Sequence, residues 1–183
     1  MKKVPIMLLS KFLTRSEFSS YEDFKRNYEL HVPENFNFGY DVVDAWAAHD
    51  PHKRALVWCN DHGGERSFTF AEISALSNQA ANFFTNLGIR KGDRVIFFLS
   101  QRWQYWPCAV ALHKIGAILI PAAIQLTAKD VAYRCGAAGI KAIVAVSDPY
   151  VNAQIDQALP DCPTVEHKIR IQGAGGREQG NDG

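Results

Sequence analysis

Three short, uninterrupted apolar runs, separated by amphipathic segments, constrain the fold of this chain more than any other feature. They cover residues 94–99, 117–120 and 141–146. A strand buried on both faces of a parallel sheet reads as such a continuous run, whereas a half-solvated strand alternates. The segments between the runs have helical periodicity and end at Gly116 and Gly139, which suit the left-handed residue that closes a helix. This alternation predicts right-handed βαβ crossovers and an α/β fold with a mainly parallel sheet.

Capping signals locate the helices of this pattern. Two capping boxes are present, Thr69 with Glu72 and Thr127 with Asp130. In such a box the side chain at the first position and the acid three residues later satisfy backbone N–H groups at the helix start. A further helix is predicted over 104–115, between the first two apolar runs.

The N-terminal part of the chain predicts a helical lead-in followed by a β-hairpin. The expected elements are a serine-capped helix over 19–28, an extended connection over 33–40, a short helix over 41–48, and strands over 54–59 and 66–70. The intervening Asn-Asp-His-Gly-Gly supplies the turn of a hairpin. The short helix is expected to bury Val42, Val43 and Trp46.

Weaker signals after the third apolar run predict a helix over 148–159 and a strand over 164–171. The glycine-rich end of the chain has one alanine as its only apolar residue, so it is predicted to be disordered. We therefore expect three parts: a helical N-terminal lead-in (1–34), an α/β subdomain (35–171) and a disordered tail (172–183).

Composition excludes several classes of protein. The 183 residues carry 20 basic and 19 acidic side chains, which gives a formal net charge of +1. This balance creates no field that would attract nucleic acid or an anionic membrane. No apolar run approaches the roughly eighteen residues that a membrane-spanning helix needs. Two lysines precede a short apolar stretch at the N-terminus, which is too short for a signal peptide, and Met7 is an alternative start.

The four cysteines are Cys59, Cys108, Cys135 and Cys162. They contain no C-x-x-C pair that would indicate a zinc site, and a chain of this size does not need disulfides to be stable. Free cysteine packs as a small hydrophobe, so we expect buried, reduced thiols and a cytoplasmic protein.

Three ordered segments carry a resemblance to a known family. They are Asn-Phe-Asn-Phe leading into Asp-Val-Val-Asp-Ala-Trp-Ala (35–47), Phe-Thr-Phe-Ala-Glu followed by Gly-Ile-Arg-Lys-Gly-Asp-Arg-Val (68–95), and His-Lys-Ile-Gly-Ala-Ile-Leu-Ile-Pro followed by Gln-Leu-Thr (113–127). Each piece alone is unspecific. The ordered set, continued by the strand to residue 146, resembles the AMP-forming acyl-CoA synthetases, most closely their medium-chain branch. The resemblance implies the first α/β subdomain of that family's large N-terminal domain.

The resemblance also implies a reaction and its cofactors. Such enzymes convert a carboxylic acid, ATP and coenzyme A (CoA) into acyl-CoA, AMP and diphosphate through an acyl-adenylate. A full-length parent would therefore use ATP, Mg²⁺ and CoA. The family's phosphate-binding Ser-Gly-Thr-Thr-Gly-x-Pro-Lys signature and its C-terminal lysine are absent from the 183 residues.

We accordingly expect an N-terminal portion of a ligase that binds no cofactor and is inactive alone. Truncation or a frameshift would explain the missing signature, and self-association would follow from apolar surface left exposed. The alternative is a non-catalytic α/β binding or interaction module.

Gln125 is the residue that the resemblance assigns to a ligand, because it lies in the loop associated with CoA. Loops at the carboxyl ends of parallel strands are where ligands bind in such sheets. The other interpretation is a polar loop residue beside the capping Thr127. Arg102, in the aromatic segment 100–106, either lines a ligand cleft near phosphate or enters a helix whose aromatics pack on the core, and we favour packing.

The histidines and the lysine at helix ends do not indicate a catalytic or metal site. His49 and His52 have no third metal ligand in the sequence, which favours a solvated helix end. His113 and Lys114 near a helix C-terminus favourably face the helix dipole. We predict no catalytic residues and no metal ligands.

Overall fold

The computed structural model describes residues 6–61, 63–100 and 102–172. In chain order the helices are α1 (Ile6–Leu9), α2 (Tyr21–Asn27), α3 (Ala45–His49), α4 (Phe70–Asn86), α5 (Tyr105–Ile115), α6 (Ala128–Ala138) and α7 (Pro149–Ala158). The strands are β1 (Arg54–Cys59), β2 (Glu65–Thr69), β3 (Arg94–Phe98), β4 (Ile118–Pro121), β5 (Ala142–Val146) and β6 (His167–Ile171). A π-helix, Phe38–Asp44, precedes α3, and a 3₁₀ turn, Leu159–Asp161, follows α7. Disorder was predicted for residues 172–183, and apart from residue 172 this segment lies outside the described residues.

The predicted fold class is confirmed. Four strands form a parallel sheet in the order β4-β3-β5-β6, and β1 and β2 form a separate antiparallel hairpin. The crossover from β3 to β4 runs in the opposite direction to those from β4 to β5 and from β5 to β6. Right-handed crossovers therefore put α5 on one face of the sheet and α6 and α7 on the other. The packing agrees, because α5 lies against α4 while α6 lies against α7.

The central strands form the core, but the edge strand differs from its prediction. Every side chain of β5 is buried, and β3 is buried from Val95 onward. The run at 117–120 was expected to be equally covered, yet Ile118 is 49 % exposed. This expectation is wrong because β4 is an edge strand, with β3 as its neighbour on one side.

Capping fixes the ends of the crossover helices as predicted. Both capping boxes form, at Thr69 and at Thr127. Gly116 and Gly139 have φ values of 73° and 58°, in the left-handed region where a side chain is strained. Ser20 caps α2 by accepting a hydrogen bond from the Asp23 backbone N–H at 3.1 Å.

The connection into the α/β unit differs from its prediction. The extended connection ends at Asn37, because Phe38–Asp44 forms a π-helix that continues into α3. Val43 is buried as expected, whereas Val42 and Trp46 are half-buried. An i→i+5 hydrogen-bonding pattern has no signature in the hydrophobic periodicity, so the sequence predicts only an ordinary helix here.

Candidate functional site

The carboxyl ends of the parallel strands bring the two candidates from the sequence, Arg102 and Gln125, to one edge of the sheet together with Asp148. Arg102 follows β3, Gln125 follows β4 and Asp148 follows β5. Because the chain leaves β3 toward β4 and returns to the other side of β3 with β5, the strand order reverses between β3 and β5. In open α/β sheets, ligands bind in the crevice outside such a reversal.

The Gln125 loop is held from α7. The Tyr150 hydroxyl donates a hydrogen bond to the Gln125 carbonyl oxygen at 3.4 Å, and the Ala128 N–H donates to the Gln154 side-chain oxygen at 2.8 Å. The Gln125 residue itself is exposed. The loop backbone is therefore positioned at the predicted edge with the residue open to solvent, while a role in CoA binding stays a prediction.

Arg102 is buried beside the point of strand reversal. The residue is 8 % exposed, and burial lowers the pKa of its guanidinium while the attraction of Asp148 acts in the opposite direction. Asp148 also caps α7, because its carboxylate accepts a hydrogen bond from the Val151 N–H at 3.0 Å. The start of α5 thus carries a buried cation that interacts electrostatically with the acid that caps α7.

The aromatic residues around Arg102 divide between core and surface. The Trp103 ring packs on Phe68 at 5.1 Å, and the Tyr105 ring packs edge-on against Phe97 at 5.7 Å between centroids. The prediction that these aromatics pack on the core is therefore confirmed for Trp103 and Tyr105. It is wrong for Trp106, which is 52 % exposed at the first turn of α5.

A pocket lies between this segment and the hairpin. It has a volume of about 490 Å³. Its lining residues come from β1, from the end of β3 and from the start of α5, namely Val57, Trp58, Cys59, Leu99, Arg102, Tyr105 and Trp106. Arg102 therefore lines a pocket while two of its aromatic neighbours pack on the core, and a ligand or phosphate beside Arg102 stays a prediction.

Neither histidine of the α3 end is placed in a metal site. His49 is exposed and its ring lies edge-on to Trp46 at 5.9 Å, and His52 is exposed after the helix end. Within residues 6–61, 63–100 and 102–172 no group of three or more His, Cys, Asp or Glu side chains is arranged to hold a metal ion.

Lys114 forms a buried polar network that the sequence reasoning missed. Its side chain is 1 % exposed, and its Nζ donates to Asp44 Oδ1 and to Asn78 Oδ1, each at 2.7 Å. Ser74 Oγ donates to the same Asp44 oxygen at 2.7 Å. The network joins the π-helix, α4 and α5, which is more than the helix-dipole role predicted for Lys114. The partners are distant in sequence, so spacing gave no signal for it.

Asn37 connects the same elements through its side-chain amide. Its Oδ1 accepts from the Gly39 N–H at 2.9 Å, and its Nδ2 donates to the carbonyls of His113 at 2.8 Å and Lys114 at 3.3 Å. One side chain therefore caps the start of the π-helix and the end of α5. A Cβ atom at Gly39 would lie 2.4 Å from Lys114 Cγ, so this close approach requires glycine.

Polar residues at the opposite, amino-terminal edge of the sheet are also structural. Lys141 Nζ donates to Asp93 Oδ2 at 2.8 Å, while Arg94 donates to the carbonyls of Ala138 and Gly139 at 2.8 and 2.9 Å. Burial raises the pKa of Asp93, but hydrogen bonds from Lys141 and from a backbone N–H outweigh it and hold the pKa below its usual range. These groups close helix ends and pair with each other.

The cysteine prediction is confirmed in part. Cys135 and Cys162 are buried and Cys108 is half-buried, but Cys59 is exposed at the end of β1. Burial raises the pKa of the Cys108 thiol to about 11, and burial with the neighbouring Cys162 raises that of Cys135 to about 12. Cys59 lies in a two-stranded hairpin with an open face, so the expectation of burial is wrong for it.

None of the helices in the described ranges is long and apolar enough to cross a membrane.

Comparison with known protein families gives a match over residues 43–182 to the family described as AMP-binding enzyme. The chain is 34 % identical over 164 residues to the acyl-coenzyme A synthetase ACSM3, mitochondrial, of Pongo abelii, covering 86 % of this chain and 28 % of that protein. It is 38 % identical over 146 residues to the acyl-coenzyme A synthetase ACSM5, mitochondrial, of Mus musculus, covering 76 % and 25 %. The chain thus spans about a quarter of the length of these curated relatives.

Solved structures of CoA ligases have a fold similar to that of this chain. The fatty acyl CoA synthetase of Mycobacterium tuberculosis matches with a TM-score of 0.64 and 28 % identity, covering 74 % of this chain and 26 % of that one. The N-terminal domain of FACL13 from the same organism matches with a TM-score of 0.65 and 26 % identity, covering 74 % and 33 %. The anthranilate CoA ligase AuaEII, at 21 % identity and a TM-score of 0.67, supports the fold alone.

Proposed function

Because the chain belongs to the family of AMP-binding enzymes, corresponding to an N-terminal part of its acyl-CoA synthetases, we propose that it contributes to an acid–thiol ligase. The reaction joins a carboxylic acid, such as a fatty acid, to CoA with conversion of ATP to AMP and diphosphate. The observation that carries the proposal is the family match over residues 43–182, together with the parallel sheet of an α/β fold that the sequence resemblance implies. Within it we propose that residues 35–171 act as one α/β subdomain behind the lead-in 1–34.

Two features of the described residues support CoA binding. The open residue Gln125 lies on a loop held by α7, and the exposed Lys129 on the first turn of α6 adds a positive charge suited to a phosphate-bearing ligand. We propose that Gln125 contacts CoA in the complete enzyme.

ATP and Mg²⁺ fit less well. The 183 residues contain no phosphate-binding signature of the Ser-Gly-Thr-Thr-Gly-x-Pro-Lys type, so no backbone cradle for triphosphate is identified and no adenylation step is assigned to these residues. We propose that this chain alone does not form an acyl-adenylate and that ATP and Mg²⁺ are used by the complete enzyme.

Two measurements on the purified chain test the proposal. The first is AMP formation with octanoate, Mg-ATP and CoA, where we expect no signal above the enzyme-free blank. Acyl-dependent AMP release that scales with chain concentration would contradict the assignment of adenylation to other residues.

The second measurement is CoA binding by titration calorimetry. Replacing a side chain that makes one neutral hydrogen bond weakens binding by roughly 1 kcal/mol, or about fivefold. Gln125→Ala should lower the affinity by that factor, and Gln157→Ala, at an exposed position of α7, serves as the matched control. Equal affinity of the two variants would refute the contact.

A non-catalytic binding or interaction module is the second candidate, and one structural observation favours it. The lead-in exposes large aromatic side chains, among them Tyr21, Phe24 and Tyr28. Such surface supports self-association or a protein partner. Sedimentation velocity separates the two functions when combined with the CoA titration: a dimer that binds no CoA favours the module, and a CoA-binding monomer favours the ligase.

The cellular location of this chain is also a proposal. The curated relatives named above are mitochondrial proteins by name, whereas the reduced cysteines led us to expect the cytoplasm. We propose the cytoplasm, to be tested by fractionation of cells that express the full chain.

A further inference from the structure

The loop between β4 and α6, residues 122–127, presents Gln125 to solvent. Ile124 and Leu126 pack against the hydrophobic core, so the residue between them faces outward. The turn around Gln125 is only weakly closed, because the Leu126 N–H donor lies 3.5 Å from the Ala123 carbonyl oxygen, at the limit of a hydrogen bond. Contacts from another element therefore matter for the conformation of this loop.

Two side chains of α7 supply such contacts. Tyr150 and Gln154 are four residues apart, so they lie on the same face of the helix. The Tyr150 hydroxyl donates to the Gln125 carbonyl oxygen at 3.4 Å, whereas the Gln154 side-chain oxygen accepts from the Ala128 N–H at 2.8 Å. Gln154 makes the shorter and hence the stronger of the two bonds.

The Ala128 N–H is a donor that α6 does not satisfy by itself. The first N–H groups of a helix have no acceptor within the helix. The capping box satisfies the N–H groups of Thr127 and Asp130, but not that of Ala128. Gln154, half-buried and twenty-six residues later in the chain, completes the cap from a second helix. A side chain of α7 thereby fixes the residue at which the loop enters α6.

We propose that Gln154 is a positioning residue for the loop 122–127, which it holds in the conformation that presents Gln125 to CoA. This role rests on the proposed contact between Gln125 and CoA. Gln154 acts through the backbone, because it bonds to Ala128, three residues after Gln125. A loop that is ordered before binding loses less conformational entropy when the ligand arrives, so the bond should raise affinity without touching the ligand.

The first test is CoA titration calorimetry of the variant Gln154→Met. Methionine keeps the length of the side chain but removes the acceptor oxygen. We expect affinity to fall between about twofold and about fivefold, and by no more than in Gln125→Ala, because the effect passes through that contact. The matched control Gln157→Met, at an exposed position of the same helix, should leave affinity unchanged. Circular dichroism checks that the variants are folded.

A double variant distinguishes positioning from an independent effect. In the Gln125→Ala background, Gln154→Met should cause no further loss of affinity, whereas independent effects would multiply. Multiplied losses, or equal affinity of Gln154→Met and Gln157→Met while Gln125→Ala is weakened, would overturn the role of Gln154 and leave the CoA contact standing. If Gln125→Ala binds as tightly as the unmodified chain, or if that chain binds no CoA, the proposed contact fails and the role of Gln154 fails with it.

A second readout needs no ligand. Amide hydrogen exchange, followed by mass spectrometry of peptides that span the loop and the start of α6, reports on the Ala128 N–H. Gln154→Met should speed exchange there about fivefold, the value of one neutral hydrogen bond. Gln154→Glu keeps an acceptor oxygen and should exchange at the rate of the unmodified chain. Equally slow exchange in the Met and Glu variants would contradict the bond on which the role depends.

Discussion

The buried ion pair between Lys114 and Asp44 predicts two substitutions with unequal costs. The Lys114 side chain is 1 % exposed, whereas the Asp44 side chain is 28 % exposed, and the Nζ–Oδ1 distance is 2.7 Å. Removing one partner of a buried pair leaves the other charge without compensation, which costs about 3–5 kcal/mol when that charge is fully buried. The cost therefore depends on which charge is left behind.

Asp44→Asn leaves the lysine ammonium in a site that water scarcely reaches, so we expect a loss of about 3–5 kcal/mol of unfolding free energy. Lys114→Met retains the apolar stem and leaves the Asp44 carboxylate partly hydrated and still bonded to Ser74. Its cost should be nearer the value of a hydrogen bond to a charged group, about 1.5–3 kcal/mol. The aspartate substitution should thus be the more damaging one, although lysine is the more buried residue.

Urea unfolding followed by tryptophan fluorescence and circular dichroism measures both variants. Matched controls are Asp61→Asn and Lys129→Met, at exposed positions in the hairpin turn and on α6, which should change the unfolding free energy by no more than about 0.5 kcal/mol. The reasoning fails if Lys114→Met costs more than Asp44→Asn, or if both variants match their controls.

Three further outcomes follow from the same structure. Gly39→Ala places a Cβ 2.4 Å from Lys114 Cγ, so it should cost about 1–3 kcal/mol in urea unfolding, and a neutral effect would contradict the close approach. Asp93 has a lowered pKa beside Lys141, so the stabilisation it provides is present above the pKa of an unfolded aspartate and is lost as the pH falls below about 4. The variant Asp93→Asn should therefore flatten the decline of the urea midpoint between about pH 5 and pH 3. A decline that is the same in the variant would count against this reasoning. Cys59 should be the first thiol alkylated in the folded chain and the other three only after unfolding, which peptide mapping at matched times resolves.

The sequence predicted well those features whose causes are local. The capping box of Thr69 and Glu72 forms with its hydrogen bonds, because every group in it lies within four residues. The strand β5 is buried along its length, as its uninterrupted run of apolar residues predicted. Its place beside β3 rather than β4 is a matter of strand order, which the apolar run does not encode.

The features that were missed depend on neighbours distant in sequence. Ile118 belongs to a run as apolar as that of β5, and its exposure follows from the position of β4 at the sheet edge. Lys114 looks like an ordinary basic residue in a last helical turn, and its burial depends on Asp44, seventy residues earlier. Periodicity describes which face of an element is apolar, but it does not describe which element comes to cover that face.

These contacts also show which residues of the family resemblance have a role within the fold. Asn37, in the first resembling segment, caps two helix ends, and Asp93 and Arg94, in the second, pair with Lys141 and with carbonyls at the end of α6. Their polar groups are engaged within the fold, which explains these residue types without a ligand. Gln125, in the third segment, is exposed at the carboxyl ends of the strands. A substitution in the first two segments should therefore change stability before ligand affinity, and at Gln125 the order should be reversed, since an exposed loop residue contributes little to the core.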